Sequence, residues 1–477
     1  MTGRNRKVAT WLIAYALAHV AVLTTISQAA QIQMQVQAVP GAQASPSPTG
    51  KLLTLEDAVR IGLENHPRIK SADERVLSQQ AILGQQMSAY YPTVSLNNQY
   101  RAASTGSAVA DSSAASETII SQALFTMTLY NFGKREGTVQ AARETLGAVQ
   151  QDYETTVQDT ALAIKTAYYT YLAAQAFVNV ANGTVRNRDL LVRQARGFFE
   201  VGTRAKIDVA RAEANLYNAQ AGLIQAENAV KIAWVTLRNA MGSPRLPEQP
   251  VAEIGPEVEL SMNLAEARNI AYETRTELKS FEAQRRASDQ LIATARRGHL
   301  PDLNFDASYG RRHSSNETQR FGSGDSATNR HLNTFPLQPA WAVGLVLNIP
   351  IFDGFRTTQR VEETLHNYYN VKAQEEDRRQ LIALEVEQSY LRVVETQERI
   401  KATESAATAA KENLDLAQGR YQVGVGSIIE VTDAETLYTE AQINYVSAIY
   451  QYKIADAQLA RAMGDTRVAV LKQNSIK

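Results

Sequence analysis

The chain has 477 residues, 44% of them hydrophobic and 21% charged, with 49 basic and 49 acidic side chains and no cysteine. A net charge of zero supplies no basic face for a nucleic acid, and the missing cysteines exclude disulfides, thiol catalysis, thiolate metal sites and a lipoprotein's acylated cysteine. Only 13 prolines occur, and none falls from Thr93 to Ser243 or from Ile351 to Lys477. Tracts of that length fit poorly to a sandwich, a propeller or a doubly wound domain, and they leave room for very long helices.

At the N-terminus, Arg4, Arg6 and Lys7 precede an apolar run from Val8 to Ile26, and Ser27-Gln28-Ala29 places small side chains where a signal peptidase reads them. Residues 1–29 read as a cleaved secretory signal, the alternative being a transmembrane anchor near the lower length limit. Residues 30–50 are rich in Gln, Ala, Pro and Ser without periodicity and read as a flexible linker.

The remainder is written twice. Ala240-Met241-Gly242 matches Ala462-Met463-Gly464 at an offset of 222 residues, and the same offset aligns Gly197-Phe198-Phe199-Glu200-Val201-Gly202 with Gly419-Arg420-Tyr421-Gln422-Val423-Gly424. It also pairs Asp208-Val209 with Glu430-Val431 and Tyr130-Asn131-Phe132-Gly133-Lys134 with Phe352-Asp353-Gly354-Phe355-Arg356. Two long copies point to a duplicated unit with internal pseudo-symmetry. The copies span 51–243 and 263–465, joined by a linker at 244–262 and followed by a tail at 466–477.

Each copy predicts helix, helix, strand, strand, very long helix and return helix. Thr54-Leu55-Glu56-Asp57 opens the first helix, Pro67 breaks it, and it continues to about Tyr90; its counterpart runs from about Leu264 to Arg297. The long helices are expected from Lys134 to Phe199 and from Arg356 to Tyr421, and the return helices from Ile207 to Ala240 and from Ile429 to Ala462. Val157, Ala161, Ile164, Tyr168, Tyr171, Gln175 and Val178 follow a coiled-coil seam, as do Arg379, Ala383, Val386, Tyr390, Val393, Gln397 and Ile400.

Strands are expected at about 93–103, 117–130, 302–312 and 340–352, with Ser104 to Ser116 and Arg312 to Pro339 as soluble loops. Their period-two alternation, as in Leu303, Phe305, Ala307 and Tyr309, fits a lipid-embedded barrel and equally a half-buried soluble sheet. Four strands are too few to close a membrane barrel, so a barrel requires several copies, and three would give twelve strands.

No catalytic, metal or cofactor site is expected. The six histidines are scattered, and neither a phosphate-binding loop nor a nucleophile elbow occurs. His66 beside Pro67 reads as a helix-boundary residue, and Trp234 and Trp341 as core or membrane-interface anchors.

The duplicated order, the strand exits Leu129-Tyr130-Asn131-Phe132-Gly133-Lys134 and Ile351-Phe352-Asp353-Gly354-Phe355-Arg356, and the Val-Gly turns followed by Asp208-Val209 and Glu430-Val431 resemble the TolC-like outer-membrane efflux proteins. The resemblance covers about Leu52 to Gly464. It implies a mixed α and β fold of mostly long helices: a homotrimer with a twelve-stranded outer-membrane β-barrel, four strands per protomer, continued by an α-helical barrel in the periplasm. It further implies a passive, gated exit duct for tripartite efflux or type I secretion, set in outer-membrane lipid and partnered by a periplasmic adaptor and an inner-membrane pump. The competing reading is a soluble periplasmic coiled-coil scaffold or adaptor.

By position, the resemblance makes Val201, Gly202, Thr203, Val423 and Gly424 an adaptor-docking tip, and Arg204, Asp208, Tyr421, Glu430 and Asp433 a periplasmic gate. Asp208 and Tyr421 stand where the family ties neighbouring helices shut, and Glu430 and Asp433 where it has an acidic ring. Glu430 also completes Ser427-Ile428-Ile429-Glu430, a capping-box pattern, so cap and pore both remain open for it. Gly426 departs from the family, which often has a basic residue there; Arg204 carries one in the first copy.

Overall fold

A computed structural model describes residues 52–107, 112–252, 262–320 and 329–464. The expected signal, the first linker and the C-terminal tail lie outside the described residues. From Leu53 onward the chain packs as one unit.

Among the described residues two short helices come first, α1 (Leu55–Asn65) and α2 (Pro67–Met87). Thr54 caps α1 by accepting from the Asp57 N–H. His66 separates the two, its Nδ1 accepting from the Arg68 N–H at 3.1 Å, and Pro67 takes the first helical position, where its missing donor costs nothing. Strands β1 (Thr93–Ser107) and β2 (Ser112–Tyr130) precede the long helix α3 (Lys134–Glu200) and its return helix α4 (Lys206–Ala240). The same order follows in α5 (Leu264–Thr274), α6 (Thr276–Arg296), β3 (Asp302–Arg320), β4 (Asn329–Asn348), α7 (Arg356–Gln422) and α8 (Ile428–Ala462). Both long helices have 67 residues and both return helices 35. At ~1.5 Å per residue the long pair reach roughly 100 Å.

Each strand exit turns into its long helix through two consecutive left-handed residues: Phe132 and Gly133 (φ 55° and 83°), then Gly354 and Phe355 (φ 67° and 64°). The backbone does the same thing at the same repeat position, with glycine on opposite members of the pair. Asn131 and Asp353 secure the turns, their side chains accepting from the Arg135 and Thr357 N–H groups at 3.3 and 2.9 Å. Lys134 pairs with Asp302 at 3.0 Å, tying the foot of the first hairpin to that of the second.

The strands form one antiparallel sheet in the order β1-β2-β3-β4. Its register lines up Val94, Phe125, Ala307 and Val343 on one face, with Leu96, Ala123, Tyr309 and Trp341 two residues farther from the helices. On the opposite face Asn97, Gln122, Gly310 and Ala340 align. The apolar face is bare in the protomer: Trp341 is 73% and Tyr309 71% exposed. No helix among the described residues is long and apolar enough to cross a membrane.

The strands outrun the alternation that marks them. Much of Ser104–Ser116 and Arg312–Pro339, expected as loop, is paired strand. Ser, Thr, Asn and Glu fill those outer ends, so pairing continues there without an apolar face to show it. In the other direction β4 stops at Asn348 rather than 352, before Pro350, which has no N–H for the ladder.

The two copies lock their helices by different chemistry. In the first, Val59, Ile164, Tyr168, Tyr171, Trp234, Leu237 and Met241 form an apolar core between α1, α3 and α4. The Tyr168 hydroxyl lies within hydrogen-bonding reach of the Leu53 and Ala252 carbonyls, and Leu53 pairs in parallel with Val251. The segment following α4 is thereby attached to the start of the first copy.

In the second copy the helix breaks at Arg275 without proline, and Arg275, 1% exposed, enters an ion network. Glu277 accepts from Arg275 at 2.9 and 3.0 Å, from Arg378 at 3.1 Å and from Arg461 at 2.8 Å. Burial pushes the Glu277 carboxyl up, but Arg461 and Arg275 outweigh it and hold it at about 2. On α3 the seam is buried from Val157 to Tyr171, with Gln175 and Val178 half-buried, whereas along the α7 seam the buried positions are Ile382, Val386, Val393 and Thr396. Arg379 instead lies outside, its guanidinium 5.0 Å from the Tyr272 ring centroid. A guanidinium in an apolar seam would be unpaired, which keeps Arg379 outside, and the stripe runs through Ile382 and Thr396 in place of Ala383 and Gln397.

Candidate functional site at the helical tip

The hairpins α3–α4 and α7–α8 turn at the end of the molecule away from the sheet. Both turns are built alike. Gly202 and Gly424 adopt φ 78° and 84°, which allows the Gly202 N–H to donate to the Phe199 carbonyl at 2.9 Å and the Gly424 N–H to the Tyr421 carbonyl at 3.1 Å. Val201, Val423 and Val425 are exposed around them. Thr203 donates its hydroxyl to the Phe198 carbonyl at 2.9 Å, closing the first turn on itself.

Arg204 joins the turns. Its Nη2 donates to the carbonyls of Gly424 and Gly426 at 3.1 and 2.6 Å, and its guanidinium carbon lies 5.4 Å from the Tyr421 ring centroid. Tyr421 is fully buried, edge-on to Phe198 at 5.5 Å, within a cluster that includes Leu191, Val192, Ala212, Leu414, Ile428 and Val431. Gly426 is the repeat equivalent of Arg204, and a Cβ there would lie 2.9 Å from the Tyr421 nitrogen. The second turn therefore has no room for a side chain at this position, and the first copy's arginine supplies the cation from across the interface.

The structure brings Arg204, Asp208 and Tyr421 together and leaves Glu430 and Asp433 apart from them. The Tyr421 hydroxyl is buried without a hydrogen-bond partner among the described residues. Burial and the Asp208 carboxylate push its pKa up, against the opposing pull of Arg204. Ser427 caps α8 by accepting from the Glu430 N–H at 3.2 Å, while the Glu430 side chain pairs with Arg420 at 3.1 Å. Glu430 thus contributes its backbone to the cap and its carboxylate to an exposed ion pair. Asp433 is exposed, with no ion pair among the described residues.

One charged pair near the tip went unmarked by sequence reasoning. Arg188 on α3 donates to Glu435 on α8 at 2.9 Å and to the Thr436 hydroxyl at 3.1 Å, and both charged side chains are buried. Glu435 Oε1, Arg188 Nη1 and Thr432 Oγ1 lack partners among the described residues. Burial pushes the Glu435 carboxyl up to about 7, against the pull of Arg188. A signal was present: Val431, Ala434, Glu435 and Tyr438 share the inward stripe of α8, and an acid on such a stripe needs a cation opposite. The repeat equivalent, Glu213, lies at the surface paired with Arg196.

Among the described residues no group of His, Asp and Glu could hold a metal ion. Comparison with known proteins places the chain. The outer membrane efflux protein family model matches residues 59–243 and 267–465. The outer membrane protein TolC of Salmonella enteritidis is 26% identical over 348 residues, 71% of this chain and 67% of that protein. Protein CyaE of Bordetella pertussis is 23% identical over 430 residues, 88% of this chain and 86% of that one. In fold, the chain resembles the CmeC outer membrane channel of Campylobacter jejuni with a TM-score of 0.71 at 17% identity, covering 89% and 90% of the two chains. The family model spans most of both halves, and the chain belongs to the outer membrane efflux protein family: it is a bacterial outer-membrane efflux duct whose helices extend into the periplasm.

Proposed function

We propose that the chain is one third of a closed homotrimeric duct, its three sheets joining into a twelve-stranded barrel and its helices into a periplasmic tunnel. The single observation behind this reading is the sheet. It has four strands, two open edges and an exposed apolar face, so in lipid its edge N–H and C=O groups stay unsatisfied unless other copies pair with them. Eight strands are the smallest common membrane barrel, and three copies supply twelve. In this reading the duct acts passively, without chemistry of its own, and serves an inner-membrane pump through a periplasmic adaptor docked at Val201, Gly202, Thr203, Val423 and Gly424. Membrane fractionation tests it: unboiled outer-membrane extract should contain an oligomer of about three times the 52.5 kDa chain mass, less its signal. A soluble monomer would instead favour a periplasmic scaffold.

The gate is proposed at the tip. Arg204 clamps the second turn onto the first, Tyr421 fills the space beneath, and Asp208 is the anion facing both. Asp433, without an ion partner, and Glu430, paired only at the surface, are assigned to the mouth, where carboxylates from three protomers would favour cations. Single-channel recordings in bilayers should show higher conductance for Asp208→Ala and Tyr421→Phe than for the wild type. Equal conductance would remove these two residues from the gate.

A further inference from the structure

We propose that Arg311, on the apolar face of the sheet, binds the phosphate-bearing headgroup of a lipid in the outer leaflet of the outer membrane. The inference rests on the proposed orientation, with helices in the periplasm and the far ends of the strands outside the cell. Alternation on β3 puts Leu303, Phe305, Ala307, Tyr309 and Arg311 on one face, the arginine directly following the apolar series. The register sets Tyr309 beside Trp341, and Arg311 between Ser121 on β2 and Pro339 on β4.

An apolar band about 25 Å tall takes roughly ten residues of a strand tilted by about 40°. Counted outward from Leu303, it ends between Arg311 and His313, so the guanidinium reaches the headgroup layer just beyond the exposed Tyr309 and Trp341 rings. Aromatic rings at that depth mark the interface, and a long basic side chain extends from it into the polar layer.

Arg311 is exposed, and its side chain has no hydrogen bond or ion pair among the described residues. Neither flanking residue is charged. The nearest acid on that face is Glu117, which pairs with Ser315, farther from the helices than Arg311. An arginine lying against lipid without a protein anion is complementary to an anionic headgroup, and its planar fork matches phosphate oxygens two at a time. The opposite rim differs: Leu347, Ile349 and Ile351 are exposed and uncharged.

Trp341 provides the probe. Of the three tryptophans, Trp11 lies in the expected signal and Trp234 is buried, so in the mature protein a lipid-borne quencher reports on Trp341. The full-length mature protein, reconstituted in vesicles containing brominated phosphatidylglycerol or brominated phosphatidylcholine, should show roughly fivefold preferential quenching by the anionic lipid at matched content. That is the size expected of one arginine near a charged surface. Arg311→Gln should abolish the preference and Arg311→Lys retain most of it. Equal quenching by both lipids in the wild type, or a preference unchanged in Arg311→Gln, overturns the proposal. Quenching by neither lipid would show that the sheet does not face lipid, and would remove the barrel reading as well.

Discussion

Replacing Glu277 by glutamine should lower the stability of the protomer by about 3–5 kcal/mol, read as an early loss of helical circular dichroism on heating in detergent. The side chain is nearly buried and receives four hydrogen bonds from three arginines, Arg275, Arg378 and Arg461. Glutamine preserves the shape but removes the charge, leaving Arg275 buried with only Glu385 and carbonyl groups to face it. The second copy has no large apolar core there to compensate. Its buried cluster of Ala267, Ala271, Leu278, Ile382, Val386 and Ala462 is small beside the first copy's tyrosine and tryptophan core. The same network makes an acid prediction. A free glutamate titrates near ~4.3, and Glu277 is held at about 2. Its contribution is therefore complete above pH ~4.3 and is lost as pH falls toward 2, a change of about 3 kcal/mol. Glu398→Gln is the control: its pair with Lys401 is exposed at both ends, and its loss should be hard to measure. If Glu277→Gln melts with the wild type, the second copy is held by something other than this network.

The contrast between the copies shows what could be read in advance. The long helices were legible because nothing within them argues against helix, while Gly133, Gly202, Gly354 and Gly424 mark their ends by the left-handed turns that follow or precede. The inner halves of the strands were legible because one face meets an apolar medium and the other does not. Their outer halves were not, since pairing among serines, threonines and asparagines leaves no period in composition. The break at Arg275 was also hidden, because Thr274-Arg275-Thr276 contains no proline and the interruption is set by ion pairing with residues on α7 and α8. At the tip, family position marked Arg204 and Tyr421 but could not show that the arginine reaches the other copy's turn. That reach depends on the packing of segments 222 residues apart, and the steric need for glycine at 426 on a turn that brings the Arg420 and Tyr421 backbone against it.

Raising the pH from about 4.5 to above 7 should destabilise the contact between α3 and α8, and Glu435→Gln should remove that dependence. The cause is the opposite of that at Glu277. One arginine faces Glu435 rather than three, and Oε1 of the carboxyl has no partner among the described residues. Burial therefore prevails, and the carboxyl titrates at about 7. Between ~4.3 and 7 the native state holds a proton that the unfolded chain has released, so stability falls as pH rises through this window, by about 4 kcal/mol. Below it both states are protonated and above it both are ionised, so the slope vanishes on either side. Among the described residues Arg188 is the one charged group acting on the carboxyl, and the surrounding stripe of α8 is otherwise Val431, Ala434 and threonines. The thermal midpoint of the wild type, followed from pH 4.5 to 8 in detergent, should decline where that of Glu435→Gln stays level. The two acids are separable because their windows meet near 4.3 and their slopes have opposite sign. A decline that persists in Glu435→Gln would assign the titration to another group and leave the Arg188 pair ionised throughout. Because α3 belongs to the first copy and α8 to the second, ionisation of Glu435 above this window loosens the junction of the two hairpins just behind the proposed gate.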